Sequence, residues 1–299
     1  VVIDLRGEVQ TRETRDLTGC DGAAALVEVD SLVRSLVDAA NRRLIGVGVG
    51  TPGLIDTPTG TVRWAVGLDW RDERVGERLA DLTGLPTVVV NDSQAAAMAE
   101  WTFGQHDAGS SMVVVKVGVG IGSGIVLGGR LYTGDDSGAG EIGHTRVVDE
   151  GLDCHCGSSG CLETVSSQRA VLASARQLAA SEPGWALAGQ SVTHASLLQA
   201  FESGDAMARR IVLDSARPLG RTLAAVIGTL GTRDIVLVGP MADFGEPWLE
   251  CVRAEARRSA LPLLAERSTI HLGRTGDEVV ELGAAAMLMT SELGLVLTA

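Results

Sequence analysis

The sequence predicts an α/β protein with parallel or mixed sheets. Short β-branched runs that end in Gly, Asn, Asp or Pro alternate with segments of helical periodicity. At 299 residues and 45% hydrophobic content, the chain can also bury the core of one large domain or two modest ones. In chain order, VDSLVRSLVDAANRR (29–43) is the first segment with a helical pattern. LIGVGVGTPGLID (44–56) and TVVVND (87–92) read as buried strands opening into loops. SQAAAMAEWTFG (93–104) returns to helix, and MVVVKVGVGIGSGIVL (112–127) to strand. SQRAVLASARQLAA (167–180) and ARRIVLDSARPLGRTLAAVIGTL (208–230) are helical, separated by the loop-like SEPGWALAGQS (181–191). DIVLVGP (234–240) is a strand, EPWLECVRAEARRSA (246–260) a helix, and ELGAAAMLMTSEL (281–293) an apolar, small-residue helix. The change of character near Gly104–Ser111 marks the expected boundary between two lobes, and no fixed-period repeat is present.

Charge and composition exclude several classes of function. The net charge is −13, with a single lysine, Lys116, against 24 arginines, so this chain does not carry the cationic face that neutralises nucleic-acid phosphates. Aromatic content of 3% leaves little for base stacking. No apolar run reaches the roughly 18–20 residues of a membrane span. VVIDLRGEVQTRETRD places charges where a signal peptide needs an apolar core, which makes a cytoplasmic location the expectation.

The most informative stretch is GEIGHTRVVDEGLDCHCGSSGCLE, residues 140–163. Three of the five cysteines fall within eight residues, the clustering of a metal loop rather than the spacing of a disulfide scaffold. Zinc takes four thiolate or imidazole donors in a tetrahedron, and Cys154, Cys156 and Cys161 supply three of them. His144 is the candidate fourth; His155 is its rival, although it should point away from a site that both its neighbours face. Three buried thiols without metal are the alternative. Glu141 and Glu163 flank the loop and are not needed by a metal; they are either solvated carboxylates or acceptors for a polyol.

The pattern G-E-I-G-H followed by C-x-C-G-x-x-G-C-x-E resembles the signature of the ROK family of repressors, open reading frames and sugar kinases. GVGTPGLID, VVVNDSQAAAMAE, VKVGVGIGSGIVLGGRLYTG and DIVLVGPMADFG follow in the family's order. The resemblance runs from about Val2 to the AAAMLM helix and implies a two-lobed, actin-like ATPase (ribonuclease H-like) fold with a zinc-binding loop. It places an N-terminal α/β lobe at 1–105, joined by a C-terminal helix at 281–299, and a second lobe at 106–280 carrying the zinc loop at 144–161.

By the same resemblance, His144, Cys154, Cys156 and Cys161 bind structural Zn²⁺. Asn91, Asp92, Glu141, His144 and Glu163 contact a sugar. Gly118, Gly120, Gly122 and Gly239 line a nucleotide site where one is retained. In the family's kinases the counterpart of Asp92 is the general base of phosphoryl transfer from ATP with Mg²⁺; read locally, Asp92-Ser93 suits a helix N-cap. Departures from the kinase pattern are Val119 where Thr is usual, Gly239-Pro240 where Gly-Gly is usual, Gly67 where Asn is frequent, and no D-x-G-G-T. VVIDLRGEV resembles the strand that follows that loop. The expected function is therefore the sugar-binding, effector-sensing region of a ROK transcriptional regulator whose DNA-binding domain lies upstream of Val1. The alternative is an ATP-dependent, glucokinase-like hexose kinase. A homodimer or homotetramer is expected from the family, with no membrane partner.

Overall fold

A computed structural model describes residues 1–17, 19–106 and 111–294. Its strands and helices follow in order: β1 (Val2–Ile3), β2 (Val9–Thr11), α1 (Gly22–Ala39), β3 (Val47–Thr51), β4 (Leu54–Asp56), β5 (Thr61–Ala65), β6 (Trp70–Glu73), α2 (Val75–Thr83), β7 (Thr87–Asn91) and α3 (Asp92–Phe103). Then come β8 (Ser111–Val117), β9 (Ile121–Leu127), β10 (Arg130–Tyr132), α4 (Glu163–Ser166), α5 (Gln168–Ser181), α6 (His194–Glu202) and α7 (Ala206–Leu230). The chain ends with β11 (Asp234–Val238), α8 (Gly245–Ser259), α9 (Pro262–Arg267), β12 (Thr269–Leu272) and α10 (Val279–Leu293). Two compact units result: Val1–Asp107 with Gly124–Gly140 and Arg274–Ala299, and Ala108–Ser123 with Glu141–Gly273. Part of the expected boundary, 107–110, and the last residues of the expected C-terminal helix, 295–299, lie outside the described residues.

In the first unit, β3 and β7 pair in parallel from Val47↔Thr87 to Thr51↔Asn91, while β4, β5 and β6 form an antiparallel sheet. The stretch expected as one strand, 44–56, is thus two strands in different sheets. Pro52 cannot donate to a ladder, and Gly53 has φ +105°, a conformation that breaks an L-residue strand. Ile55, Val62, Trp70, Leu79 and Val89 are among the residues that close one core between this sheet and α1 and α2. Trp70 Nε1–H donates to Gly22 O at 2.9 Å, anchoring β6 to the start of α1. A second cluster joins Val90, Ala95 and Ala284, so α10 lies against α3. Gly283 makes that approach possible, since a Cβ there would overlap the carbonyl of Ala95.

The end of α3 carries a buried polar knot. Glu100, 0% exposed, accepts from the backbone N–H of Arg274 (2.9 Å) and Thr275 (3.0 Å) and from Thr275 Oγ1 (2.5 Å). Its other oxygen meets His106 Nε2. Arg274 Nη1 donates to Gln105 O at 2.6 Å. Gly104 must be glycine here, because a Cβ would stand 2.5 Å from His106 Nε2 and 2.6 Å from Glu100 Oε2. The knot therefore ties residues beside the exit from the first unit to residues beside the return.

In the second unit β8, β11 and β12 run parallel, with Val238 level with Lys116. The apolar run 112–127 is not one strand: it turns at Gly118–Gly120 into β8 and β9. α7 is continuous through Pro218 and lies on α8, where a Cβ at Gly220 would come 2.6 Å from Val252 O. Ligand-binding loops of such sheets sit at the carboxyl ends of the strands, which here places Gly118 and Gly239 side by side.

Candidate functional site

The thiol loop folds as a tight hairpin. Asp153 bridges to Ser159 and Arg146 to Cys161. Val147 and Val148 N–H both donate to Gly160 O. Gly160 has φ +71°, and any Cβ would overlap Val148 O. This turn gathers His144, Cys154, Cys156 and Cys161, with one ligand atom from each lying within 4.8 Å of the others. His155 is outside the group and exposed. Cys156 and Cys161 Sγ are 3.7 Å apart, and Cys154 Sγ is 3.6 Å from His144 Nδ1. Ligand distances of about 2.3 Å to sulfur and about 2.05 Å to nitrogen give tetrahedral edges of about 3.8 and 3.6 Å. The donor set therefore fits a closed, four-ligand metal, and all five cysteines are free of disulfides. Among the thiols, a backbone hydrogen bond from Ser158 draws Cys156 below its ordinary value. Burial and its two neighbouring thiols push Cys161 up to about 12. A metal bound here would deprotonate the thiols it takes as ligands.

With Nδ1 turned to the thiols, His144 presents Nε2 toward Glu141 Oε2 at 3.8 Å. A ligating imidazole oriented through its second nitrogen is the usual arrangement. Glu163 opens α4 directly after Cys161 and Leu162. Its Oε2 accepts from Ile121 N–H at 3.1 Å and its Oε1 from Arg169 Nη2 at 2.8 Å. Sequence reading did not find Arg169: it lies six residues from Glu163, across the break between α4 and α5, where no helical spacing signals a pair.

The glycine loop closes on itself through Gly118 N–H to Gly120 O at 2.9 Å. Val119 stands out at 64% exposure where a hydroxyl is usual in the family's kinases. Gly239 has φ +93°, and its missing Cβ would meet Val117 O at 3.0 Å. A Cβ on Gly118 would lie 3.8 Å from Lys116 Nζ, so the chain's one lysine sits beside this loop. Gly122 is half-buried, one residue into β9.

In the first unit, the helix cap is Asn91 and not Asp92. Asn91 Oδ1 accepts from Ser93 N–H (2.9 Å) and Gln94 N–H (3.1 Å), while its Nδ2 donates to Gly53 O (2.9 Å). A β7 residue in extended conformation can cap α3, whereas Asp92 already has helical geometry. Asp92 is half-buried in the first turn, with Ser93 Oγ donating to Oδ1 at 3.1 Å. Its carboxylate is thus not consumed as the cap.

A sequence model of the ROK family matches residues 1–291. The chain is 31% identical over 277 residues to a glucokinase of Halalkalibacterium halodurans, covering 87% of this chain and 84% of that protein. It is 28% identical over 255 residues to the xylose repressor of Caldicellulosiruptor bescii, covering 84% of this chain but only 64% of the repressor's length. The solved ROK glucokinase of Streptomyces griseus, in complex with glucose and AMPPNP, superposes with a TM-score of 0.85 at 28% identity, covering 95% of this chain and 93% of that one. The mixed α/β arrangement is the actin-like ATPase fold of the ROK sugar kinases. No helix among the described residues is long and apolar enough to cross a membrane. Matched by the family model over nearly its whole length, the chain belongs to the ROK family.

Proposed function

We propose that this chain is the sugar-binding, effector-sensing part of a ROK transcriptional regulator, in which DNA is bound by a domain other than this acidic one. The observation that supports sugar binding is the placing of Glu141 and His144 beside the thiol cluster, with Glu163 opening α4 two residues after Cys161. Zinc held by His144, Cys154, Cys156 and Cys161 would close a structural site and fix those side chains. Glu141 and Glu163 would accept from sugar hydroxyls, and His144 Nε2 would face the same ligand. In the first unit, Asp92 and the remaining amide hydrogen of Asn91 are the proposed sugar-facing groups. The regulator reading is supported by Val119 and Pro240, which remove from the nucleotide region a hydroxyl and a glycine usual in the kinases. Sugar would act by binding one arrangement of the protein more tightly than another.

The second reading is an ATP-dependent hexose kinase with Asp92 as general base and Gly118, Gly120, Gly122 and Gly239 near the phosphates. It is favoured by the cap of α3 being Asn91 rather than Asp92 and by the identity to a glucokinase. The coding DNA in frame before the Val1 codon separates the two. A basic helix-turn-helix there, with operator release by sugar, supports the regulator. A short extension carrying D-x-G-G-T, with ADP formation lost in Asp92→Asn, transfers the conclusion to the kinase.

A further inference from the structure

Glu163 is held from two sides by groups that no metal requires. Its main chain is set by the thiol loop, since Leu162 N–H donates to Thr145 O at 2.9 Å. Its side chain is set elsewhere. Oε2 takes the N–H of Ile121 in the glycine loop at 3.1 Å, and Oε1 takes Arg169 at 2.8 Å. Arg169 is itself tied to that loop, because the preceding residue, Gln168, donates its N–H to Gly118 O at 2.8 Å. The carboxylate also occupies the volume beside Gly120: a Cβ there would lie 2.5 Å from Oε2, a separation real Cβ atoms do not show. The glutamate side chain is 12% exposed, against 45% for Arg169, so the carboxylate is sheltered while the arginine reaches it from the solvent side.

We propose that Gly120 and Arg169 are positioning residues for the Glu163 carboxylate and thereby set which sugar hydroxyls this protein accepts. The inference rests on the sugar-binding reading of Glu163. In it, Gly120 is glycine because a carboxylate fills the space of its side chain, whether or not a phosphate approaches the loop.

The chemistry follows from the acceptor geometry of a carboxylate. Each oxygen offers two acceptor directions, and here one on each is already used. The two left over form a fixed pair suited to adjacent hydroxyls of a neutral pyranose. Hydrogen bonds from hydroxyls to a carboxylate are charge-assisted and of the stronger kind. A carboxylate free to rotate would bind a diol and its deoxy analogue with less distinction. One whose plane is locked rejects the analogue, since its acceptor is then left unpaired. Sequence spacing could not show this, because Gly120 and Glu163 are 43 positions apart (163 − 120).

The test is calorimetric titration of the zinc-loaded protein with glucose, xylose and N-acetylglucosamine, and with the 2-deoxy analogue of whichever binds. Wild type, Arg169→Ala, Arg169→Lys, Gly120→Ala and the surface control Arg210→Ala are compared, with thermal melts to check folding. The expected result is a loss of about 10- to 100-fold in affinity for Arg169→Ala and Gly120→Ala, with Arg169→Lys between. The ratio of affinities for sugar and deoxy analogue should fall toward unity in the same variants, a change a merely structural role would not produce. Arg210→Ala should match wild type. Should Gly120→Ala not fold, the Arg169 pair decides alone. Sugar binding by wild type with unchanged affinity and ratio in the Arg169 variants overturns this inference and leaves the sugar reading standing. Failure of wild type to bind any of the sugars overturns both.

Discussion

Replacing Glu100 by alanine should be the most damaging single change in the first unit. The carboxylate is completely buried, and its removal orphans the backbone N–H groups of Arg274 and Thr275 and Thr275 Oγ1, and takes one partner from His106. A buried donor left without a partner costs about 1–3 kcal/mol, but the cavity admits water and the losses do not add. With several buried donors losing their acceptor at once, about 4 kcal/mol is expected for Glu100→Ala. Glu100→Gln keeps the shape and one acceptor and should cost about half of that, and Thr275→Val about 1 kcal/mol. Urea unfolding followed by far-ultraviolet circular dichroism gives the measurement. With an m-value of about 2.5 kcal/mol/M, the alanine variant's transition should fall by about 1.6 M at unchanged slope. A fall under about 0.3 M, or a glutamine variant worse than alanine, would refute the argument that this knot is a principal stabilising feature.

Three further outcomes are expected. Cys156→Ser should lose the bound metal by elemental analysis, from one zinc per chain to none; stable folding with no metal in wild type would sink the brace. Glu163→Ala should abolish sugar binding in calorimetry while the melting temperature stays within a few degrees; undiminished affinity would remove Glu163 from the site. The third concerns acid. Glu255 lies between Arg258 and Arg221, the latter at 2.6 Å, and their hydrogen bonds hold its carboxyl below its ordinary value. A lowered folded-state value means stability that is present above the unfolded carboxylate range and lost as pH falls through the folded one. Arg221→Ala should therefore be destabilised relative to wild type above about pH 5, with the gap closing on acidification; a gap that widens in acid would reverse the assignment.

What could be read from the sequence divides along a physical line. The thiol loop was legible because its donors lie within 18 residues of one another (144 to 161), and local chain geometry alone can gather them. Helices such as 208–230 and 246–260 announced themselves by periodicity and end within two residues of the expected limits. Continuous apolar runs were harder, because periodicity is silent inside them. Residues 112–127 turn at Gly118–Gly120, and 44–56 divide at Pro52-Gly53. The antiparallel β4–β6 sheet and α2 were not expected at all. Their strands are short, and Trp64 at 43% exposure breaks any simple inside-outside alternation. Local reasoning also put the α3 cap on Asp92, where Asn91 performs it from the end of a strand. Least visible were the partners of buried or half-buried carboxylates. Thr275 reaches Glu100 across 175 positions, and Ile121 reaches Glu163 across 42, distances over which a single sequence carries no signal.

A metal that braces a sugar pocket through its thiol ligands makes sugar affinity follow metal content. The most direct test is a sugar titration of the same protein before chelation, after chelation, and after zinc is returned. One-to-one binding of a hexose or pentose by the loaded protein, loss of that binding with the metal, and recovery on adding zinc are the expected results. Binding that persists unchanged in metal-free protein, or no sugar binding by the loaded one, would contradict it.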